Sequence, residues 1–556
     1  MSGRHFAFWP RGVPHRLTTP EVALVHNARV AAERYPDKPY LVFYDTRIGF
    51  ARFLDEVERL AGWLEHEMGV RRGDRVLLYL QNSPQFVIGY YAILRANAIV
   101  VPINAMNLEE ELRHCVDDCG ARVAIVGQEL YPRVRALLRE PLAHVLVAAY
   151  SDYLEAPTDL AVPEFVAAPR ISCEDAGAVA WHTAMSARMR PGPLVVGPDD
   201  LCVMPYTSGT TGRPKGCMHT HRSAQFTAIA GLQWFGLTQD ATVLAVLPFF
   251  HVTGMQGSMN GPLFIGATVV LLPRWDRAVA ARLIERYRVS AWTAIPTMVV
   301  DFLSQPGLSR ASLASLDRMS GGGAAMPEAV AVRLQELCGI EYVEGYGLTE
   351  TMAPSHINPP QRPKRQCLGI PIFDTDARVV DVDTMRELPP GEVGEILVHG
   401  PQVFQGYWGN EKASAEAFVE LDGRRFLRTG DLGRSDEDGY FFLVDRLKRM
   451  INAAGFKVWP AEVESMLYAH PAIQEACVIA ASDAYRGETV KAVVVLSEAA
   501  RGKVTGEEIV EWARGKMAAY KVPRIVEIAD ALPKSATGKI LWRALQETER
   551  ERAARS

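Results

Sequence analysis

The sequence predicts an α/β protein with a large N-terminal body of several subdomains and a small α+β C-terminal lid domain. The chain has 556 residues, enough for three or four globular units. Through most of its length, predicted helices alternate with strands that are apolar on both faces, which is typical of a parallel sheet covered by helices. Near Gly430 this alternation ends, and residues 421–457 are rich in glycine and charged side chains.

The body is predicted from elements that form βαβ units. An apolar stripe at helical spacing predicts the first helix, and a buried strand, a helix and a second buried strand follow it. The predicted elements are 53–68 (helix), 76–80 (strand), 83–96 (helix), 99–103 (strand), 242–247 (strand), 268–272 (strand), 278–287 (helix) and 291–295 (strand). Residues 152–200 have weak periodicity and are expected to form a surface excursion.

The lid is predicted from a compact pattern after residue 457. Its predicted elements are a helix at 460–469, strands at 473–481 and 490–497, a helix at 506–518 and a strand at 524–529. About a hundred residues is a plausible size for a domain. The predicted organisation is therefore a body over 1–444, a hinge over 445–448 and a lid over 449–556.

Composition excludes several classes of protein. Hydrophobic residues make up 48% of the chain and charged residues 22%, which excludes a disordered or collagen-like chain. The net charge of −5 supplies no general field for nucleic acid or an anionic membrane. The eight cysteines are scattered and are expected to be reduced thiols. With neither an apolar signal region nor a run of about 18 apolar residues, we expect a cytoplasmic protein without integral membrane association.

The strongest local signal is the segment YTSGTTGRPKG at 206–216. A strand is predicted over 201–206, and a helix beginning near Ser223. The three glycines of the segment let the backbone turn tightly and direct N–H groups at an anion. Its four hydroxyls add donors, and Lys215 adds a cation. The segment does not fit the Walker A pattern, but it has what a polyphosphate needs from a loop.

This segment resembles the phosphate loop of the adenylate-forming superfamily, which comprises acyl- and aryl-CoA synthetases, firefly luciferases and peptide-synthetase adenylation domains. Further motifs of that superfamily follow in order, and the resemblance covers about residues 25–545. The chain is closest in pattern to the fatty-acid–CoA ligases. The further motifs are PFFHVTG at 248–254, SGGGAAMP at 320–327, EGYGLTE at 344–350, TGD at 429–431, DRLK at 445–448 and PKSATGK at 533–539.

The resemblance implies a nucleotide site for ATP and Mg²⁺, with coenzyme A as the second substrate. Glu350 offers a hard oxygen ligand for Mg²⁺, with Thr207 beside the metal, since Mg²⁺ binds through one or two carboxylates plus substrate phosphates. Thr349 can donate to a phosphate, and the ring of Tyr346 can stack on a base. The other implied nucleotide or coenzyme A residues are Thr207, Ser208, Gly209, Thr210, Thr211, Gly212, Lys215, Gly323, Ala324, Gly345, Tyr346, Gly347, Asp431, Arg446, Lys448 and Gly455.

Four of these assignments compete with a plainer interpretation. His251 among aromatic neighbours is by itself more typical of a core histidine than of a catalyst. Asp431 alone would be a turn residue, Lys539 alone a solvated lysine, and the segment around Lys448 alone a charged turn. The resemblance assigns His251 to the acyl site, Asp431 to the ribose hydroxyls, Lys539 to charge neutralisation during adenylation, and Lys448 to the hinge of a mobile lid.

The predicted function is an AMP-forming carboxylic acid–CoA ligase acting on a small-molecule acid. The acyl pocket is expected to draw on 251–256, on the segment near 292–298 and on 321–323, which carry no obvious cation. A medium- or long-chain fatty acid is the first choice of substrate, and an aryl or arylpropenoic acid is the alternative. Asn452 replaces a lysine of luciferases and coumarate ligases, which argues against a luciferase. Two rival functions are the loading of a carrier protein and nucleotide binding without catalysis; the pattern also allows a homodimer.

Overall fold

The computed structural model of the chain describes residues 3–138, 140–207, 214–323, 326–446, 449–453, 456–483, 487–534 and 540–555. Contacts divide the chain into two compact units. The N-terminal unit combines residues 1–377, 398–427 and 438–441. The C-terminal unit combines residues 378–397, 428–437 and 442–556. The predicted hinge at 445–448 stays a prediction, with its last two residues outside the described part of the chain.

The first sheet of the N-terminal unit has seven strands, six of them parallel to their neighbours. It confirms the predicted βαβ unit, because strand 75–79 pairs in parallel with strand 99–102. One edge is antiparallel, where 219–220 pairs with 201–203. In spatial order the strands are His219–Thr220, Leu201–Val203, Ile99–Pro102, Arg75–Tyr79, Val123–Gly127, His144–Ala148 and Ala178–Ala180.

The second sheet of this unit has nine strands. Its six central strands are parallel, and antiparallel strands close both ends. In spatial order the strands are Ile370–Pro371, His356–Ile357, Tyr342–Tyr346, Arg318–Gly321, Ala291–Thr293, Thr242–Ala245, Thr268–Leu271, Pro39–Phe43 and Thr46–Gly49. The carboxyl ends of its parallel strands lead into the segments that carry the predicted site, as expected for an open α/β sheet.

Helices of the N-terminal unit bury one or more faces against these sheets. The predicted stripe from Phe53 to Leu64 is buried on helix 50–66. Helix 84–95 is buried all round, and Ser83 caps it by accepting the Phe86 N–H at 3.1 Å. The helices are His26–Arg34, Phe50–His66, Pro84–Arg95, Glu109–Cys119, Tyr131–Val134, Glu164–Ala167, Trp181–Ala187, His221–Phe235, Val252–Met255, Gly261–Ile265, Arg277–Arg286, Pro296–Leu303, Glu328–Cys338 and Glu411–Glu416, with a π-helical turn at Gln256–Asn260.

The surface excursion expected at 152–200 is wrong in part. Strand 178–180 pairs in parallel with strand 144–148 and forms the edge of the seven-stranded sheet. Helix 181–187 then buries Trp181, whose indole donates to the Tyr153 hydroxyl at 3.3 Å. A three-residue strand and a seven-residue helix are too short to give a readable period, so tertiary packing decides them.

The C-terminal unit contains a five-stranded sheet covered by helices, which matches the predicted α+β pattern. Strands 473–483 and 487–496 form its long antiparallel hairpin, and strand 525–528 joins in parallel. The remaining strands of this sheet are Ile451–Ala453 and Phe456–Val458, and the helices are Pro460–Leu467, Gly506–Arg514 and Trp542–Arg555. Strand Phe418–Leu421 belongs to the N-terminal unit. Four further strands contain the points where the chain passes from one unit to the other: Asp376–Val380, Gly394–His399, Arg424–Ser435 and Phe441–Arg446. The predicted α/β class with a small C-terminal domain is confirmed.

In the part of the chain that the structure describes, no helix is both long and apolar enough to cross a membrane. The eight cysteines are free thiols, six of them buried. Burial raises the pKa of Cys115 to about 12 and that of Cys119 to about 11. Both thiols are therefore protonated at neutral pH, which agrees with the predicted reduced core cysteines and gives them no nucleophilic role.

Candidate active site

The two ends of the predicted phosphate loop are held together as a short antiparallel pair. Lys215 lies opposite Thr207, and Gly216 lies opposite Tyr206. The Tyr206 hydroxyl donates to Asp118 Oδ2 at 2.6 Å, which ties the entry strand to helix 109–119. The loop therefore begins and ends at one place. Ser208, Gly209, Thr210, Thr211 and Gly212 lie outside the described residues.

The strand that leaves this loop pairs with the segment 405–408. The Met218 N–H donates to the Gly406 carbonyl at 3.0 Å, and the Trp408 N–H donates to the Gly216 carbonyl at 2.8 Å. This pairing brings Tyr407 beside Lys215. The Lys215 ammonium lies 4.1 Å from the centre of the Tyr407 ring, in cation–π geometry.

Glu350 reaches the same place from a different element. It lies in the 3₁₀ turn 349–351, which follows the end of strand 342–346. The Tyr407 hydroxyl donates to Glu350 Oε1 at 2.7 Å, and the Phe404 N–H donates to the Glu350 carbonyl at 2.9 Å. The structure thus brings together the predicted cation of the loop and the predicted metal ligand, with one tyrosine in contact with both.

The turn that carries Glu350 is fixed by its own backbone. The Leu348 N–H donates to Thr351 Oγ1 at 2.8 Å, and Met352 and Ala353 then adopt left-handed conformations with φ of 47° and 63°. A Cβ on Gly347 would approach the Ala353 carbonyl carbon to 2.8 Å, so this position admits only glycine without rearrangement. Thr349 and Glu350 are therefore presented by a tight, strained loop.

The buried His219 makes a hydrogen bond to the backbone of this turn. His219 Nε2 lies 2.8 Å from the Thr349 carbonyl, and since a carbonyl only accepts, this nitrogen carries the proton. Nδ1, 3.4 Å from the Ser223 hydroxyl, is then the unprotonated nitrogen. Burial lowers the pKa of His219 from 6.5 to about 4, so the ring is neutral at neutral pH.

The predicted adenine segment and strand 342–346 meet through glycines. A Cβ on Gly322 would come within 2.3 Å of the Gly345 carbonyl oxygen, so the two backbones touch. The buried Glu344 accepts the Met326 N–H at 2.8 Å and ties the far end of segment 320–327 to the strand. Tyr346, half-buried, pairs in register with His356 of the next strand. Gly323 adopts φ of 84°, and Ala324 lies outside the described residues.

Asp431 belongs to the C-terminal unit and is buried there. Its N–H donates to Thr429 Oγ1 at 3.1 Å, and Gly430 between them takes a left-handed φ of 67°. The Gly430 N–H in turn donates to Glu395 Oε1 at 3.1 Å. This TGD segment is therefore a rigid bend within a strand, and the burial of Asp431 makes it more than a surface turn residue.

His251 is exposed and begins helix 252–255. Its Nδ1 accepts the Thr253 N–H at 3.3 Å, so the ring caps the helix locally. The core interpretation of His251 is therefore wrong, because solvent reaches the ring. The exposed face of the ring leaves the predicted acyl-site role open as a prediction.

The three segments predicted for the acyl pocket are neighbours. A Cβ on Gly257, in the π-helical turn after helix 252–255, would lie 3.3 Å from Thr293 Oγ1. A Cβ on Gly321 would collide with the Ala294 carbonyl at 1.8 Å. Segment 292–298 therefore adjoins segment 321–323 and the turn that directly follows segment 251–256, and Gly257 is an exposed glycine of that turn.

Several predicted site residues lie outside the described residues or have undescribed side chains. Arg446 ends strand 441–446, and its side chain is not described. Lys448, Gly455 and Lys539 lie outside the described residues, and their roles stay predictions.

Sequence reasoning missed Tyr407 and His219. Neither residue belongs to a motif recognised in the sequence, and both gain their role from distant partners, since Tyr407 touches Glu350 across 57 positions and His219 touches Thr349 across 130. The only local signal was Gly406, which precedes Tyr407 and adopts φ of 150°. An aromatic residue after such a glycine is too common to identify a site.

The site suits a metal ion that is bound partly by the protein and partly by the phosphates of the substrate. Among the described residues there is no group of three or more His, Cys, Asp or Glu side chains that could enclose a metal ion. Glu350 is half-buried, and its Oε2 accepts no hydrogen bond from another described residue. A single accessible carboxylate fits Mg²⁺, which usually binds through one or two carboxylates and completes its shell with substrate phosphates and water.

Comparison with known proteins agrees with this geometry. Residues 28–408 match the model of the AMP-binding enzyme family, and residues 462–539 match its C-terminal domain. The chain is 36% identical over 555 residues to a long-chain-fatty-acid–CoA ligase of Bacillus subtilis, covering 98% of each chain. It is also 36% identical over 503 residues to a feruloyl-CoA synthase of an Amycolatopsis species, covering 89% of this chain and 93% of the relative. A solved anthranilate CoA ligase in complex with anthranoyl-AMP superposes with a TM-score of 0.81 at 28% identity, covering 97% of this chain and 99% of that one.

The chain therefore belongs to the AMP-binding enzymes, the adenylate-forming class that the fold and the loop ends indicate. Within that class it is an acid–thiol ligase, an AMP-forming acyl-CoA synthetase that uses ATP.

Proposed function

We propose that this enzyme joins a medium- or long-chain fatty acid to coenzyme A in the cytoplasm, through an acyl-adenylate. A carboxylate oxygen of the acid attacks the α-phosphorus of ATP, and pyrophosphate leaves. The thiolate of coenzyme A then attacks the acyl carbonyl, and AMP leaves with the electron pair of the broken C–O bond. The observation that carries the proposal is that Lys215 and Glu350 both contact Tyr407. ATP chemistry needs a cation and a metal ligand close to each other.

In the adenylation step the N-terminal unit holds the triphosphate. Lys215 neutralises phosphate charge, and Thr349 and the hydroxyls of the loop, including Thr207, donate hydrogen bonds. Glu350 and Thr207 would hold Mg²⁺, which when bound would neutralise charge on the departing pyrophosphate. These residues position and neutralise the reactants, which is what in-line transfer at phosphorus requires of a protein.

The remaining roles are proposed from the motif resemblance. Tyr346 stacks on the adenine beside Gly323 and Ala324. Asp431 accepts both ribose hydroxyls; its burial supports this role, because a buried carboxylate needs donors. Lys539 neutralises the carboxylate and the α-phosphate. Arg446 contacts ribose or phosphate, and Lys448 is the hinge about which the lid rotates. Gly455 leaves a passage for the pantetheine arm.

The class of acid is proposed from the apolar character of the acyl segments. Residues 252–260 and 291–298 contain no Lys or Arg, so a second carboxylate on the substrate would be buried without a partner. Gly257 carries no side chain at an exposed position beside Thr293, which is where we propose that the acyl chain passes. The relatives include both a fatty-acid ligase and a feruloyl-CoA synthase, so an aryl or arylpropenoic acid is the alternative substrate.

A panel of acids tests this proposal. The purified enzyme is assayed for coenzyme-A-dependent AMP release with straight-chain acids of 6 to 18 carbons, benzoate and ferulate. We expect kcat/KM to be highest for a chain of medium or long length. A higher value for ferulate or benzoate would move the assignment to the aryl class. Replacing coenzyme A with a carrier protein in the same assay tests the rival acceptor, and AMP release that needs the carrier would overturn the proposed acceptor.

A matched pair of glycine variants tests the groove. Gly257→Leu fills the exposed position beside Thr293 and should reduce activity more for long acids than for short ones. Gly231→Leu is the control, because Gly231 lies within helix 221–235 and a Cβ there would meet no atom within 4 Å. Equal loss across chain lengths in Gly257→Leu would place the acyl chain elsewhere.

A further inference from the structure

We propose that Tyr407 is a positioning residue that aligns the metal-binding carboxylate with the phosphate-binding lysine. This inference rests on the proposed function, since it takes Glu350 as the Mg²⁺ ligand and Lys215 as the phosphate cation. It adds a residue that none of the sequence motifs contains, and it assigns separate tasks to the hydroxyl and the ring of one side chain.

The hydroxyl of Tyr407 orients the carboxylate. It donates to Glu350 Oε1 at 2.7 Å, which leaves Oε2 as the oxygen for a metal. Burial, followed by the charge of Glu350, raises the pKa of the Tyr407 phenol, so the group remains a donor at every physiological pH. A hydrogen-bonded partner behind a ligating carboxylate fixes its rotamer and is typically worth tenfold or more in metal affinity.

The ring of Tyr407 holds the cation. The Lys215 ammonium lies 4.1 Å from the ring centre, which favours one position of a side chain that otherwise has four rotatable bonds. The ring face contacts the ammonium, whereas the hydroxyl at the edge of the ring contacts the carboxylate. Without the ring, the two opposite charges could pair directly with each other, and each would then be less available to its own part of Mg·ATP.

The backbone fixes Tyr407 independently of either charge. Segment 216–218 pairs with segment 405–408, and the Tyr407 N–H donates to Ser414 Oγ at 2.9 Å. Cys217 lies opposite Tyr407 in this pairing and is buried in the same apolar cluster. The backbone therefore places the tyrosine side chain where it contacts both Glu350 and Lys215.

Two substitutions separate the two tasks. Tyr407→Phe keeps the ring and removes only the hydroxyl, so it should weaken metal binding about tenfold and leave the KM for ATP at saturating Mg²⁺ near its wild-type value. Tyr407→Leu also removes the ring face and should in addition raise that KM by roughly two- to fivefold, the range of a partly exposed cation–π contact. A merely structural tyrosine would not divide its effects in this way.

The readout is binding as well as turnover. Free Mn²⁺ is measured by electron paramagnetic resonance in the presence of enzyme and adenosine 5′-(α,β-methylene)triphosphate, which binds without reacting. The Mg²⁺ activation constant and the KM for ATP are measured in parallel. Tyr131→Phe is the matched control, because it removes a phenol–carboxylate hydrogen bond of 2.7 Å to Asp175 elsewhere in the same unit. Thermal unfolding confirms that each variant is folded, and Tyr407→Phe alone decides the question if Tyr407→Leu does not fold.

A double-mutant cycle with Glu350→Gln distinguishes the possible failures. If Tyr407 acts through Glu350, Tyr407→Phe changes Mn²⁺ affinity in the wild type and has no further effect in Glu350→Gln. If Glu350→Gln weakens Mn²⁺ binding but Tyr407→Phe does not, the role of Tyr407 is overturned and the proposed function stands. If Glu350→Gln itself leaves Mn²⁺ affinity unchanged, the metal assignment of the proposed function fails.

Discussion

The neutral histidine beside the turn 349–351 leads to a quantitative prediction about acid stability. His219 donates to the Thr349 carbonyl, and burial lowers its pKa from 6.5 to about 4. The unfolded chain takes up this proton below about pH 6.5, whereas the folded chain resists it until about pH 4. Its contribution to stability is therefore fully present above pH 6.5 and is lost as the pH falls through 4.

The magnitude follows from the two pKa values. A difference of about 2.5 pKa units corresponds to about 3 kcal/mol over the full range, at about 1.36 kcal/mol per unit. Between pH 7 and pH 5 the loss should be about 2 kcal/mol. His219→Gln offers the same carbonyl an uncharged amide donor and removes the titration, so the variant should lose about 2 kcal/mol less than the wild type over this interval.

Urea unfolding of both proteins at pH 7 and pH 5 measures this difference. The same substitution at His399, near the surface, is the control for the introduction of an amide. His219→Leu is a further variant, because it leaves the Thr349 carbonyl without its donor and should cost about 1–3 kcal/mol at pH 7. At pH 5 this cost should be about 2 kcal/mol smaller, because the variant also lacks the titration. Parallel losses of stability in wild type and His219→Gln between pH 7 and pH 5 would refute the assignment of this cost to His219.

Three further predictions concern the reaction. Lys539→Ala should reduce acyl-adenylate formation by roughly two to four orders of magnitude and spare thioester formation from supplied acyl-AMP. The reason is that the ammonium of Lys539 is needed only while the carboxylate and the α-phosphate are brought together. Equal loss in both assays would contradict the proposed adenylation role of Lys539. Lys448→Pro fixes φ at the predicted hinge and should preserve one half-reaction while the other collapses, as measured by pyrophosphate release and by thioester formation. Monocarboxylates should have higher kcat/KM than dicarboxylates of equal length, since the acyl segments contain no cation, and the reverse order would contradict the proposed pocket.

The fold class followed from the sequence because its signals are local. A buried parallel strand is a short apolar run and a surface helix has an apolar stripe, and both are visible within one element, as in strand 75–79 and helix 50–66. The short elements 178–180 and 181–187 were missed because three and seven residues are too few to show a period.

The candidate site was predictable wherever one motif carries a whole function. The loop 206–216 contains its own turns, donors and cation, and the sequence around Glu350 contains the glycines that its strained turn requires. The chemistry of such a motif depends only on consecutive residues. The sequence by itself therefore predicted the adenylate-forming class, which the family match confirms, and it predicted which residues should face the nucleotide.

Only the tertiary structure decided how those parts are joined. Tyr407 and His219 are far in sequence from Glu350 and Thr349. Nothing in the residues around Tyr407 or His219 indicates that they contact those two residues. Their roles arise because segment 216–218 pairs with segment 405–408. In addition, the edge strand of the seven-stranded sheet places His219 beside the turn 349–351. Packing between distant segments sets the burial of His219, the pKa that results, and the distance from ring to ammonium, and none of these quantities is encoded in any one stretch of residues.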